Sequence, residues 1–254
     1  MDSLFSIKDK VVLITGSSRG IGFSLAAGLA LNGAKVILNG RDEAVLESAK
    51  KALEDNGISV FTSAFDITNK EQISDQVDNI EKTFGGIDIL VNNAGIMIHK
   101  SVIDLEETDW DTVIDTNLKG AFLVSQKVAA GMIERQAGKI INMCSMQSEL
   151  ACTSVAAYTA SKGGIKMLTK SMAAEWAKYN IQVNGIGPGF FLTERTQPLS
   201  EDPQYDAWMK KRTPAGRWGT PDELIGTLIY LSSEASNYVN GHIVYVDGGV
   251  LATI

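Results

Sequence analysis

From end to end the chain alternates short β-branched or apolar runs with longer stretches in which apolar positions return every three or four residues. The runs VVLIT (11–15), KVILN (35–39), SVFTSAF (59–65), DILVN (88–92), KIINMC (139–144), IQVNGI (181–186) and IVYVD (243–247) predict seven strands. Most are apolar at consecutive positions, the signature of strands buried on both faces. Helical periodicity predicts helices over Gly20 to Leu31, Glu43 to Asn56, Lys70 to Phe84, Asn117 to Gln136 and Ala156 to Tyr179. Strand and helix in repeated alternation imply an α/β fold: a Rossmann-type, doubly wound parallel sheet of about seven strands, with right-handed crossovers and helices on both faces. No repeat or Pro/Gly/Ser-rich linker divides the 254 residues, so a single domain is expected. The rhythm breaks at about 190–220, and all five prolines lie at 188–221. A long irregular connection of this kind is expected to act as a substrate lid.

A net charge of −7 removes the basic face that binding a phosphate backbone needs, so nucleic acid is not expected as a partner. Any anionic cofactor must then be held by local cations and backbone N–H groups. Cys144 and Cys152 are the only cysteines; two cannot make a disulfide framework, and both are expected to be reduced core thiols. No H-x-E, H-x-x-E or cysteine cluster stands at ligand spacing, so no catalytic metal is expected. No apolar run approaches the roughly 20 residues that span a bilayer. The opening MDSLFSIKDK lacks a basic and apolar leader, so the expected location is cytoplasmic, with no membrane partner.

Directly after the first strand comes Thr15-Gly16-Ser17-Ser18-Arg19-Gly20-Ile21-Gly22, on which a helix opens. Glycines there let backbone approach a pyrophosphate, whose charge sits at the helix N-terminus among outward-pointing N–H groups. The spacing is G-x-x-x-G-x-G rather than the usual G-x-G-x-x-G. The second strand ends Asn39-Gly40-Arg41, where a carboxylate would ordinarily accept from the ribose 2′-OH. With no carboxylate to repel a 2′-phosphate, and with Arg19 and Arg41 able to reach one, NADP is expected over NAD. Asp66, at the end of the third strand, is expected either to accept from the adenine amino group or to cap the following helix.

Tyr158 and Lys162 lie four apart on one face of a helical segment. A free tyrosine titrates near about 10, and a neighbouring ammonium favours the phenolate. Tyr158 could then accept an alcohol proton while hydride leaves the same carbon. Alone, such a pair is common.

Its company is not. TGSSRGIG (15–22), NNAG (92–95), Asn117 within NLKGAF, Ser145, YTASK (158–162) and PGFFLT (188–193) occur in order across about residues 8–250, and this set resembles the short-chain dehydrogenase/reductase family. The resemblance implies that Ser145 hydrogen-bonds the substrate oxygen and Tyr158 is the acid/base. Lys162 binds the nicotinamide ribose and tunes the tyrosine, and Asn117 holds a relay water. It further implies a cofactor site built from Gly16, Ser18, Arg19, Gly20, Ile21, Gly22, Asn39, Arg41, Asp66 and Ile67, continued by Asn92, Asn93, Ala94 and Gly95. The nicotinamide end is given to Tyr158, Lys162, Pro188, Gly189, Phe191 and Thr193, and the assembly to a homotetramer paired through the helices at 117–136 and 156–179.

The loop Cys144 to Leu150, TPAGRWGTPDEL (213–224) and YVNGHIVYVDGG (238–249) are similar to family members that act on gluconate-type sugar acids, at C5 or, for 2-deoxy acids, at C3. Such a substrate needs several donors and acceptors plus a cation. Gln147, Glu149, His99 and Lys100 fall in the loops beside the expected site, with Lys210, Lys211, Arg212 and Arg217 in the lid. Ser145, Gln147, Tyr158 and His99 are the expected substrate contacts. Two rivals stay open at this point: a 3-oxoacyl or other ketone reductase of the same family, and a dinucleotide-sensing module without turnover. A module without turnover would be expected to have lost Tyr158 or Lys162, and both are present.

Overall fold

The seven apolar runs form one sheet. In the computed structural model, which describes residues 4–253, they are β1 (Val11–Ile14), β2 (Lys35–Gly40), β3 (Phe61–Ala64), β4 (Ile89–Asn92), β5 (Gly138–Met143), β6 (Ile181–Pro188) and β7 (Ile243–Val246). Their spatial order is β3-β2-β1-β4-β5-β6-β7, and every neighbouring pair is parallel. Successive side chains on a strand point to opposite faces, and the core divides accordingly. Val12, Ile14, Val36, Leu38, Ile89, Val91 and Ile141 join one buried cluster, and Val11, Leu13, Ile37, Leu90 and Ile140 join another.

The helices that close these clusters are α1 (Gly20–Leu31), α2 (Glu43–Glu54), α3 (Lys70–Phe84), α4 (Glu107–Ile114), α5 (Gly120–Arg135), α6 (Ala156–Trp176), α7 (Gln197–Glu201), α8 (Pro203–Arg212) and α9 (Ile225–Ser232). Leu25 and Leu29 of α1, Leu46 and Leu53 of α2, and Leu228 and Leu231 of α9 cover the first face. Ile73, Val77 and Ile80 of α3, Val124, Val128 and Met132 of α5, and Met172 of α6 cover the second.

Three expectations change. The helix over 117–136 divides: Asp115–Lys119 is a π-helical turn and α5 starts after it. Helices α4 and α9 stand where no helix was read, and the stretch at 190–220 contains α7 and α8. Asp202 caps α8 by accepting from Gln204 N, with Pro203 in the first turn, so that segment is a folded helical excursion. Of the two cysteines expected in the core, one departs from expectation. Cys144 is buried, and burial pushes its thiol up to about 11. Cys152 is exposed, in the coil that follows β5.

Chain order reverses between β1 and β4: β2 and β3 lie to one side of β1, and β4 to β7 to the other. The chain leaves β1 for a helix on one face of the sheet and β4 for helices on the other, and such a switch point at the carboxyl edge is where an α/β sheet takes a ligand. The site is there.

Candidate active site

Gly16 sits at φ 61°, and a Cβ on it would lie 2.7 Å from the Ala94 Cα, so the loops after β1 and β4 touch through the missing side chain. A Cβ on Gly22 would lie 2.4 Å from Asn93 Nδ2 and 2.6 Å from the Gly16 oxygen. Asn93 laces the loops together, its Nδ2 donating to the carbonyls of Thr15 and Gly16, both at 2.9 Å. Gly20, at φ 59°, has nothing within 4 Å of where a Cβ would be. A left-handed glycine with open space before it, at the N-terminus of α1, fits a pyrophosphate. Ser18 and Ile21 are half-buried beside it.

At the adenosine end, Asn39 is buried, its Nδ2 donating to the Ser63 and Phe65 carbonyls at 3.1 Å each. Its role in the cradle is to tie β2 to β3. Arg19 is exposed, and Arg41, 77% exposed, lies 3.8 Å from Asp66. Asp66 does not cap α3; Asn69 does, accepting from Gln72 N at 3.0 Å. The Asp66 carboxylate instead accepts from Thr68 N and Oγ1 at 2.8 and 2.7 Å. Ile67 is buried where Gly120 lets it pass.

Ser145 follows β5 and caps a 3₁₀ turn, its Oγ accepting from Gln147 N at 3.1 Å. An accepting hydroxyl keeps its own proton to donate. Lys162, buried on α6, donates through Nζ to the carbonyl of Met143, the last residue of β5, and its ammonium lies 5.5 Å from the Tyr158 ring centroid. Lys162 therefore joins the tyrosine helix to the strand that presents Ser145. Asn117 sits in the π-helical turn at 2% exposure, a wide turn of the kind found at functional sites. Its Oδ1 accepts from Ile96 N at 2.8 Å, and its Nδ2 donates to the Ile96 carbonyl at 2.9 Å and to Ser161 Oγ at 3.0 Å. The loop after β4, which carries Gly95, is thus tied to α6.

Gln147 Oε1 is buried without a protein donor, which leaves an acceptor open two residues after Ser145. Glu149 is engaged: Lys166 and Tyr245 both donate to it and hold its carboxyl below the ordinary range. Burial, then Glu149, pushes the Tyr245 phenol upward. Lys100 is paired with Asp109 and Glu106, and His99 is exposed beside it.

From Pro188, the last residue of β6, Gly189 leads on to Phe191, buried and bridged to Gly219. A Cβ on Gly189 would lie 2.7 Å from the Asp247 Cα. Thr193 N donates to Thr196 Oγ1 at 2.8 Å. Most of the cations read in this segment are in use: Lys210 with Asp206, Arg217 with Glu223, and Arg212 on the Val250 carbonyl. Arg195, which no motif singles out, donates through Nη2 to the Met97 carbonyl at 2.8 Å. No spacing signals a contact between residues so far apart. Among the described residues, no group of three or more His, Cys, Asp or Glu could hold a metal ion, and no helix is long and apolar enough to cross a membrane.

A glycine-rich turn at the switch point, with Lys162 joining the Tyr158 helix to the end of β5, accords with a dinucleotide-dependent oxidoreductase, the class to which the chain belongs. A family model described as enoyl-(acyl carrier protein) reductase matches residues 16–251, and the chain belongs to this family, within the short-chain dehydrogenases/reductases. It is 50% identical, over all 254 residues and all of the relative, to a 5-keto-D-gluconate 5-reductase of Escherichia coli. It is 49% identical to a 2-dehydro-3-deoxy-D-gluconate 5-dehydrogenase of Formosa agariphila, covering 99% of this chain and 96% of the relative. A crystal structure of a gluconate 5-dehydrogenase from Burkholderia cenocepacia, in complex with NADP and tartrate, is 46% identical, with a TM-score of 0.95 and 99% of each chain covered.

Proposed function

We propose that the chain is an NADP(H)-linked oxidoreductase that interconverts D-gluconate and 5-keto-D-gluconate. The observation that carries the chemistry is the position of Lys162, between the Tyr158 ring and the end of β5 next to Ser145. The nicotinamide, when bound, exchanges hydride with the reacting carbon. Ser145 donates its hydroxyl proton to the substrate oxygen. Tyr158 gives a proton to that oxygen in reduction and takes it back in oxidation. The Lys162 ammonium, with one N–H on Met143, keeps two for the nicotinamide ribose. Since the Asn117 side chain is engaged, a relay water would sit on the main chain of its wide turn.

The cofactor reading rests on Gly16, Ser18, Gly20 and Gly22 for the pyrophosphate, and on Arg19 and Arg41 for a 2′-phosphate at a strand end without a carboxylate. Asp66 and Ile67, with Asn93, Ala94 and Gly95, line the adenosine side, and Pro188, Gly189, Phe191 and Thr193 the carboxamide side. The substrate reading rests on the buried, donor-free Gln147 Oε1, which suits a hydroxyl-rich chain better than an acyl chain, and on two relatives named for 5-keto-gluconate chemistry. His99 is the further candidate contact. The segment at 190–220, with α7 and α8, is the lid. Exposed Phe122 on α5 and Met167 on α6 suit a homotetramer paired through these helices, and the expected location is cytoplasmic. The test is loss of NADPH absorbance with 5-keto-D-gluconate, 2-dehydro-3-deoxy-D-gluconate and an acetoacetyl thioester compared side by side. Faster turnover of either of the last two would replace the substrate assigned here.

A further inference from the structure

The Met97 carbonyl that Arg195 holds belongs to the segment after β4, whereas Arg195 belongs to the segment after β6. These strands flank β5, whose continuation carries Ser145 and Gln147, so the guanidinium spans the opening of the substrate crevice. The wall below is also laced, since Lys100 N donates to the Ser154 carbonyl at 2.9 Å. Around this mouth Lys100, Lys166, Lys210 and Arg217 have carboxylate partners in Asp109, Glu149, Asp206 and Glu223, and Arg212 is turned to the Val250 carbonyl. Arg195 has one neutral carbonyl. An arginine carries five N–H donors in a fork that matches a carboxylate, and a charge-assisted pair is about twice as strong as a bond to a neutral oxygen.

A substrate reduced at C5 carries its carboxylate at the far end of the carbon chain, beyond the reach of Ser145 and Tyr158. Something at the mouth must recognise it. Resting on the function proposed above, we infer that Arg195 is the residue that selects the substrate carboxylate, exchanging its bond to the Met97 carbonyl for a two-pronged hold on the acid and so coupling acid binding to closure of the 190–220 segment. Neutral ketones of the same skeleton gain nothing from it.

The test compares 5-keto-D-gluconate with L-sorbose, which has the same skeleton and keto position but a hydroxymethyl group in place of the carboxylate. In wild type, kcat/KM favours the acid. In Arg195→Gln the KM for the acid rises roughly 10- to 100-fold, kcat/KM for L-sorbose and the NADPH Kd stay within about twofold, and Arg195→Lys falls between. An unchanged acid-to-sorbose ratio in Arg195→Gln, or a weakened NADPH Kd that accounts for the whole loss, overturns the inference. Inhibition by tartrate, measured on whichever ketone the wild type reduces, gives a second readout. It should weaken at least about tenfold in Arg195→Gln. If wild type fails to reduce 5-keto-D-gluconate, the substrate assignment falls, and tartrate inhibition alone decides whether Arg195 holds a carboxylate.

Discussion

Lys162 Nζ donates to the main-chain oxygen of Met143 while lying 5.5 Å from the centre of the Tyr158 ring. The strand end fixes the ammonium, and the ammonium sets the electrostatic surroundings of the phenol. Replacing Tyr158 by Phe keeps the ring and removes only the proton carrier. The expected result is a kcat loss of about 10²- to 10⁴-fold with NADPH binding retained. Lys162→Met should lower kcat and also weaken NADPH binding, because its remaining donors face the ribose in the proposed complex. Stopped-flow rates with a fluorescence titration of NADPH separate the two effects. A Tyr158→Phe enzyme of undiminished rate would remove the acid/base assignment.

Arg41 is 77% exposed, and the Asp66 carboxylate lies 3.8 Å away. An ion pair so open to water holds little energy of its own, so the guanidinium is free to turn to a 2′-phosphate. Arg41→Ala should lower kcat/KM for NADPH by roughly 10- to 100-fold, the scale of one lost charge-assisted contact, and leave NADH within about twofold. Equal losses with both cofactors would mean that Arg41 supports the loop and does not read the phosphate.

Seven strands were legible because each rests on a local regularity, an apolar run, and Ser145, Tyr158, Lys162 and Asn117 stand out in the sequence by a four-residue helical step and motifs in order. Helix α4 was not legible, since ETDWDTVI offers few apolar positions and no strong period. Helix α9, IGTLIYLS, is apolar on every side and reads equally as a strand. The 3₁₀ turn that leads into it, Pro221–Leu224, was nonetheless signalled, because Thr220 and Glu223 form a capping box with Pro221 between them. Asp202-Pro203 announced α8 in the same way. What no local pattern carries is the partner of a charge. Lys100 and Arg217 look like ligands for an acid until Asp109 and Glu223 are seen beside them, and Arg195 looks like one more surface arginine until Met97 is seen across the crevice.

Beneath the site runs a buried polar chain. Asn92 Nδ2 donates to Ser125 Oγ and Asn142 Oδ1, and Asn142 Nδ2 to Thr169 Oγ1, each at 2.8 Å, which links β4, α5, β5 and α6. Asn142 is fully buried, so Asn142→Leu removes both its bonds and leaves the amide of Asn92 short of one acceptor. The cost should be about 2–4 kcal/mol, a fall of roughly 4–16 °C in Tm for a chain of this size. Differential scanning fluorimetry measures it. A drop smaller than about 2 °C would show that the four elements are held by their apolar contacts alone.

Lys139, at the opposite end of β5 from Ser145, donates to Asn237 Oδ1 at 2.8 Å and Ser236 Oγ at 3.2 Å. Burial lowers its pKa to about 8, with Glu234 working in the other direction. In the unfolded chain a lysine titrates near about 10.4. Below pH 8 both states hold the proton, and the fold bears the whole penalty of the desolvated charge. Between about 8 and 10.4 the unfolded chain keeps a proton that the folded chain has released, so stability attributable to this group rises with pH across that window. Lys139→Met abolishes the dependence. Urea unfolding at pH 7, 9 and 10.4 should therefore show the wild type gaining on the variant by of order 1–2 kcal/mol, the shift being discounted because solvent still reaches the ammonium. A constant difference across the three pH values would mean that Lys139 titrates as an ordinary surface lysine.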